Sequence, residues 1–320
     1  MAVIRRNILA DEVACQQYIQ GVKRLKAEFL GPSTIDIGID GPTQAVSTYD
    51  LFVAWHHIAM NTFTPPDQTD RNAAHRGPAF LPWHRFMLVL FEQQLQRILD
   101  NPEFALPYWD WAADGQLSTS QQTQAAIWQA GCIGNSGAPV ANGPFAFNID
   151  DPDSWRVRIE SAGNGQMRQT ERGLRRALGA NPSVRGLPTK AQAISAVALT
   201  PYDAPPWNSN ASGFRNRLEG WRPLANTPGM NNRVHVWIGG DMLPSSSPND
   251  PVFYLSHCNT DRLWEAWLQR NNRIYLPPQN APETLQGHRI DDLMTSLVSE
   301  PSTPRQMLDL TSVYNYDTLS

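Results

Sequence analysis

The chain has 320 residues, of which 41% are hydrophobic, so it is long enough to bury a substantial core. Its 26 basic and 30 acidic residues give a net charge of -4 without a long run of like charge, which argues against nucleic acid as a partner. No apolar run approaches the roughly 20 residues that cross a bilayer, and the first residues lack the apolar centre of a signal peptide, so we expect neither a membrane partner nor a cleavable signal.

The first third of the chain predicts three helices. Apolar side chains recur at helical spacing from Asp11 to Leu30, and Gly31 with Pro32 predicts the end of that helix. A second helix is predicted from Ser47, a plausible N-cap, to Asn61. A third is predicted from Leu81 to about Ile98, before the helix-breaking pair at 101–102.

The middle of the chain, from about residue 114 to 226, is rich in Gly, Pro, Ser and Asn and predicts long loops with short helices, one of them over residues 166–178. Two further helices are predicted from Asn231 to Trp237 and from Pro251 to Gln269. Strand alternation is rare. Because four of the predicted helices carry histidine, we expect a mainly α single domain, built on a central four-helix bundle that holds a metal site.

Seven histidines are an ordinary number for this length, and their neighbourhoods are more informative than their count. His84 lies near the start of a predicted helix, and His75 precedes it across a Gly-Pro loop, so a loop ligand and a helix ligand can converge on one metal. Asn231 and His235 are four residues apart and share one helix face. Imidazole suits copper, zinc, iron and nickel, whereas three cysteines without a CxxC spacing argue against structural zinc and against a disulfide framework.

Five segments lie in an order and spacing that closely resembles the central domain of the tyrosinase family of type-3 copper proteins. They are YDLFVAWHH, AHRGPAFLPWHR, FRNRLEGWR, NNRVHVWIGGDM and SPNDPVFYLSHCNTDRLWEAW. The resemblance covers nearly the whole chain and rests on long, specific motifs. It extends to the termini, where Arg5 or Arg6 and the pair Tyr314 and Tyr316 resemble the residues that close that domain.

The resemblance implies two copper ions. The first would be held by His56, His75 and His84. The second would be held by His235, His257 and the residue at position 231, where the family has histidine and this chain has Asn231.

Asn231 leaves three outcomes open, because an amide oxygen is a weaker copper donor than imidazole. The amide binds the metal directly, or a spare histidine (His57 or His288) takes its place, or the second site is weak or empty. The ordinary interpretation of His57 is a packed or solvent-facing helix residue, and that of His288 is a surface residue.

The resemblance also assigns residues around the metals. It implies that Glu219 and Asn232 hold a water that removes the phenolic proton, and that Phe253 bounds the substrate entrance. Asp250 and Asp261 are candidates for orienting ligands, with helix capping or ion pairing as the alternative. Glu219 could equally be a charge on a helix surface.

The function implied is copper-dependent oxidation of o-diphenols or o-aminophenols by dioxygen, with ortho-hydroxylation of monophenols as a further activity. The alternative is a relative with an impaired second copper site that binds oxygen or is not catalytic. We expect one domain over residues 1–320 without a C-terminal covering domain, located in the cytoplasm or exported with a partner. A small copper-delivery helper protein is a candidate partner.

Overall fold

Helices make up most of the regular structure in the computed structural model, which describes residues 2–221 and 229–319. The α-helices of these residues are α1 (Glu12–Ala27), α2 (Thr48–Asn61), α3 (Phe80–Leu99), α4 (Trp111–Asp114), α5 (Thr119–Gln122), α6 (Lys190–Val197), α7 (Phe214–Glu219), α8 (Asn231–Ile238) and α9 (Val252–Arg270). The strands are β1 (Val3–Arg5), β2 (Val157–Gly163), β3 (Gln166–Arg172) and β4 (Tyr314–Tyr316). None of the described helices is both long and apolar enough to cross a membrane.

The first helices form where local sequence signals and apolar spacing agree. Asp11 caps α1 by accepting a hydrogen bond from the backbone N–H of Ala14, and Tyr18, Val22 and Leu25 line its buried face. Ser47 caps α2 in the predicted manner, because its hydroxyl accepts from the N–H of Asp50. The α1 helix ends at Ala27, several residues before the predicted Gly-Pro stop, since Glu28 is already extended.

The four histidine-bearing helices are α2, α3, α8 and α9. Proline at position 82 lies in the first turn of α3, where its missing N–H has no intrahelical partner to lose. Both α8 and α9 have nearly the predicted bounds, and α9 packs against α3 and α8. Every residue of α9 from Val252 to Leu268 is buried, so this helix forms the centre of the core.

A hairpin replaces the helix that we predicted over residues 166–178. Strands β2 and β3 pair antiparallel, with Glu160 opposite Arg168. The turn consists of Asn164 and Gly165, both with positive φ, and this Asn-Gly dipeptide is a strong hairpin signal. The prediction was wrong because apolar spacing was given more weight than that turn and the cross-strand ion pair between Arg168 and Glu160.

The two termini meet at one buried carboxylate. Strands β1 and β4 pair in parallel, which places Arg5 next to Tyr316. Asp261 of α9 lies between them and accepts hydrogen bonds from Arg5 and Tyr316, and also from Arg85 and Tyr314. Arg5, rather than Arg6, is therefore the terminal arginine of this closure. Asp261 holds the ends of the chain to α3 and α9 and hydrogen-bonds no histidine of the described residues.

Candidate dinuclear metal centre

The first histidine cluster joins two helices and the loop between them. His56 comes from α2, His84 from the first turns of α3, and His75 from the loop that precedes α3. One ring nitrogen from each lies within 4.8 Å of the others. All three side chains are buried, so the structure brings together the group that the sequence predicted as the first site.

Backbone carbonyls orient two of these rings. The Nδ1 atom of His56 lies 2.7 Å from the carbonyl oxygen of Ser245, and that of His84 lies 2.7 Å from the carbonyl oxygen of Phe80. A carbonyl only accepts hydrogen bonds, so each Nδ1 carries the proton and each Nε2 keeps a lone pair. Both Nε2 atoms are buried and without a hydrogen-bond partner among the described residues. Buried lone pairs that point at one another are what a metal cation would satisfy.

The loop that carries His75 is held by two side chains. Asn72 accepts hydrogen bonds from the backbone N–H groups of Ala74 and His75, at 3.1 and 2.7 Å. Glu219 of α7 accepts from the N–H of Arg76 at 2.6 Å, and Arg76 has a φ of 63°. The sequence interpretation missed Asn72, although asparagine three residues before a turn is a known local signal.

Glu219 is fully buried and therefore not the surface charge that was the alternative interpretation. Its second oxygen pairs with Arg215 at 2.8 Å, and Arg215 also pairs with buried Asp203. Burial raises the pKa of Glu219, although the positive charge of Arg215 opposes that shift. This buried network holds the loop that carries His75, because Glu219 accepts the hydrogen bond from Arg76 N–H.

The second cluster contains His235 of α8 and His257 of α9. The Nδ1 atom of His235 lies 2.8 Å from the carbonyl oxygen of Met242, which leaves its Nε2 as the lone-pair atom. That Nε2 lies 3.1 Å from the Nε2 of His257. The Nδ1 atom of His257 has no partner among the described residues, so this ring lacks the backbone anchor that His56, His84 and His235 have.

Asn231 occupies the first position of α8 and is fully buried. Its Oδ1 accepts only a long hydrogen bond, 3.5 Å, from Thr260 Oγ1, and its Nδ2 has no partner among the described residues. A half-turn of the amide would exchange the two atoms and give its oxygen the unpartnered position. A buried amide without hydrogen-bond partners costs folding free energy. The position is therefore chemically suited to a cation that the amide oxygen can bind.

The two clusters face one another across the bundle. The rings of His84 and His257 are stacked, with centroids 4.4 Å apart and an interplanar angle of 10°. Burial lowers the pKa of His56 to about 3 and that of His235 to about 4. Burial also lowers the pKa values of His75, His84 and His257 well below their ordinary range. Five neutral imidazoles, three of which have Nε2 as the lone-pair atom, fit two divalent or monovalent soft metal ions.

Phe253 lies among the histidines. Its ring centroid is 4.1 Å from that of His257, 5.0 Å from that of His56 and 5.9 Å from that of His235. The side chain is fully buried and packs one helical turn before His257, as its spacing predicts.

A pocket of about 740 Å³ leads to the clusters, a volume typical of small-molecule sites. His56, His75 and His235 lie on its wall, together with Asn232. The rest of the described wall is largely apolar and includes Trp221 and Met242. Neither Glu219 nor Phe253 lines it. The last residue of the predicted FRNRLEGWR motif, Arg222, lies outside the described residues.

The two spare histidines have other partners. His57 lies 2.7 Å from Ser245 Oγ and 3.1 Å from the carbonyl oxygen of Gly165. His288 is completely buried, with its Nε2 2.8 Å from Thr64 Oγ1, and it accepts from the N–H of Ala79. The interpretation of His288 as a surface residue was wrong, because its loop packs against Gly77 at the start of α3.

A mainly helical fold with two facing histidine clusters defines a dinuclear metalloprotein of the type-3 copper class. Residues 46–270 match the family model of the common central domain of tyrosinase. The chain is 39% identical over 274 residues to a tyrosinase of Streptomyces antibioticus. This alignment covers 84% of the present chain and 89% of the Streptomyces protein. It is 35% identical over 294 residues to grixazone synthase of Streptomyces griseus, and this alignment covers 84% of the present chain and 90% of the synthase. The chain belongs to the tyrosinase family, whose members bind two copper ions.

Solved structures show the same fold. A polyphenol oxidase variant from Thermothelomyces thermophila superposes with a TM-score of 0.71 at 20% identity, over 98% of this chain and 88% of that chain. A functional unit of octopus hemocyanin gives a TM-score of 0.52 at 17% identity, over 100% of this chain and 69% of the hemocyanin chain. At these identities the likeness concerns the fold alone.

Proposed function

We propose that the protein is a copper-dependent oxidase that uses dioxygen to oxidise o-diphenols or o-aminophenols to quinones or quinone imines, with ortho-hydroxylation of monophenols as a further activity. The observation that supports this most directly is the pocket, because histidines of both clusters (His56, His75 and His235) lie on its wall. A planar ring that enters the pocket can therefore reach the metal centre. An oxygen carrier needs no such access, which makes that alternative less favoured.

In this proposal His56, His75 and His84 hold one copper ion, and Asn231, His235 and His257 hold the other. When bound, the two copper ions exchange electrons with dioxygen, which protein side chains cannot do. Over a full cycle, two o-diphenol molecules each give two electrons and two protons to one dioxygen, and two quinones and two waters result.

The chain's own residues hold the donor atoms of this site in place. Carbonyl oxygens of Ser245, Phe80 and Met242 fix three of the imidazoles, which pre-organises the donor atoms before any metal arrives. Phe253 packs against the rings of His56 and His257, and, although it does not line the pocket wall, it is proposed to limit how far a substrate ring can enter.

Glu219 and Asn232 are proposed to hold the water that takes the phenolic proton. Asn232 lines the pocket, and Glu219 is a buried carboxylate on the neighbouring helix α7. Each Glu219 oxygen already accepts one hydrogen bond, from Arg76 N–H and from Arg215, and retains a further lone pair for water. Both kinds of substrate lose phenolic protons, but an o-diphenol is more easily oxidised than a monophenol, so Asn232→Ala should reduce monophenol hydroxylation more than o-diphenol oxidation.

The test is a copper count combined with oxygen uptake. Copper-free protein is loaded with copper, and we expect two copper ions per chain, with oxygen consumed when catechol or o-aminophenol is added. A stoichiometry of one copper ion per chain would contradict the dinuclear site. Reversible oxygen binding without substrate turnover would support a carrier instead.

The proposal includes a copper-delivery helper protein. It is supported by the burial of the donor atoms Nε2 of His56 and His84, which free copper reaches only through the pocket or after local opening. Slow or incomplete loading by free copper would agree with a helper, whereas rapid stoichiometric loading would make one unnecessary.

A further inference from the structure

The described part of the pocket wall carries arginine but no carboxylate. Arg185 and Arg233 both line it, and no Asp or Glu does so among the described residues. A third arginine, Arg76, lies with its guanidinium 4.1 Å above the ring of Trp221, which is also part of the wall. The mouth of the pocket is therefore positive, although the whole chain has a net charge of -4.

The buried carboxylate of Glu219 does not cancel this charge. Glu219 is paired with Arg215 at 2.8 Å and lies off the pocket wall. Arg185 is exposed, and neither an ion pair nor a hydrogen bond joins its guanidinium to the described parts of the chain. Its five N–H donors are thus available to a ligand.

Arg233 has a different part. Its Nε donates to the carbonyl oxygen of Gly186 at 2.6 Å, and Leu187 N–H donates to Gln122 Oε1 at 2.9 Å. Both bonds fix the backbone immediately after Arg185. Arg233 is therefore a positioning residue, which holds the loop that presents Arg185 at the pocket mouth.

We propose that Arg185 binds an anionic group, a carboxylate, on the far side of the substrate ring, so that the preferred substrates are o-diphenols or o-aminophenols carrying a carboxylate. The reacting pair of substituents then faces the histidines, and the apolar wall around Met242 and Trp221 contacts the ring. A guanidinium recognises carboxylate through two parallel hydrogen bonds, which also orients the ring. This inference rests on the proposed oxidase function.

The kinetic test compares three substrates with one ring and three charges: 3,4-dihydroxyphenylacetate, its neutral amide, and dopamine. We expect kcat/KM to fall in that order, with the anion preferred over the amide about fivefold, the upper range for an exposed ion pair. Arg185→Gln should bring the ratio of anion to amide close to one, and Arg185→Glu should reverse it. Added salt should weaken the preference.

The matched control is Arg175→Gln, which removes the same charge from an exposed arginine outside the pocket wall. It should keep the ratio of the wild-type protein. A ratio near one in the wild type, or the same ratio in Arg185→Gln as in the control, would overturn the inference.

A second measurement needs no copper. Copper-free protein is titrated with phenylacetate and with phenylacetamide, and binding is followed by NMR or calorimetry. We expect tighter binding of the anion, about fivefold, and loss of that difference in Arg185→Gln. If the copper-loaded enzyme oxidises none of the three phenols, the proposed function fails. If it oxidises all three without discrimination, only this inference fails.

Discussion

The two histidine clusters differ in how their donors are supplied and fixed. The first contains three histidines, two of which are anchored on backbone carbonyls, and its loop histidine is held by Asn72 and by the Glu219 network. The second contains two histidines, only one of which has such an anchor, and in our proposal the buried amide of Asn231. Pre-organised donors bind metal without a cost for ordering them. The comparison thus predicts a strong first site and a weaker, more adaptable second one.

The largest effect should follow removal of a donor from the first cluster. His56→Ala deletes one of three imidazoles, so we expect loss of the first copper ion and a fall in turnover of about 10³-fold or more. Metal analysis and oxygen uptake measure both quantities.

The adjacent residue offers a matched control. His57→Ala removes a neighbouring imidazole that hydrogen-bonds Ser245 and the carbonyl oxygen of Gly165. It should keep both copper ions and lower stability by about 1 kcal/mol. Equal copper loss in the two variants would show that our assignment of the first cluster is wrong.

The next largest effect should follow from breaking the ion pair between Glu219 and Arg215, which holds the loop of His75. Glu219→Gln leaves Arg215 with one buried partner fewer, and breaking a buried ion pair costs about 3 kcal/mol. We expect this loss in denaturant unfolding of the copper-free protein. The comparison variant is Glu171→Gln, because the Glu171 carboxylate is exposed and its pair with the buried Arg156 should contribute less than about 1 kcal/mol. Similar losses in both variants would remove Glu219 as the support of the His75 loop.

A smaller effect should follow from giving the second cluster the same number of imidazole donors as the first. Asn231→His supplies a third imidazole to the second cluster, and we expect copper to be retained about 10-fold better against a chelator. Asn231→Leu, similar in size but without a donor, should release the second copper ion. If turnover of o-aminophenol falls in the histidine variant while copper is retained, the amide is an adaptation. Unchanged copper retention in both variants would mean that position 231 is not a ligand.

The smallest effect should come from the terminal closure at Asp261, which lies outside both clusters and joins the helices α3 and α9. Tyr316→Phe removes a hydroxyl that donates to Asp261 at 2.6 Å, and we expect a loss of about 1.5 kcal/mol at neutral pH. Both copper ions should be affected alike, because Asp261 holds α3 and α9 together.

The same contact has a pH dependence. Burial raises the pKa of Asp261, but Arg85, Arg5 and the two tyrosines outweigh it and lower that pKa overall. A carboxyl with a lowered pKa stabilises the fold above its unfolded pKa of about 4, and this contribution is lost as pH falls through the lower folded value. The difference between Tyr316→Phe and the wild type should therefore shrink below about pH 4 in urea unfolding. A constant difference would contradict the linkage.

Much of the site could be predicted from sequence because its residues lie in long helices with clear local signals. Ser47 and Asp11 cap the helices that the apolar spacing predicts, and the i, i+4 spacing places Asn231 and His235 on one face. The β2–β3 hairpin was missed because its local turn signal, Asn164 followed by Gly165, was given less weight than the apolar spacing. The buried position of His288 was missed for a different reason, because its contacts with Thr64 and Ala79 are with residues more than 200 positions away in the chain.

The sequence by itself determined the helices, the histidines and the substitution at position 231, since each follows from local spacing and motif. Only the tertiary structure decided which nitrogen of His56 and His235 is free, because the carbonyl oxygens of Ser245 and Met242 that fix these rings lie outside the helices that carry them. It also decided that the second cluster is less firmly held. Local propensity depends on neighbours along the chain, whereas the lone pair, burial and charge of a donor depend on what the fold packs against it.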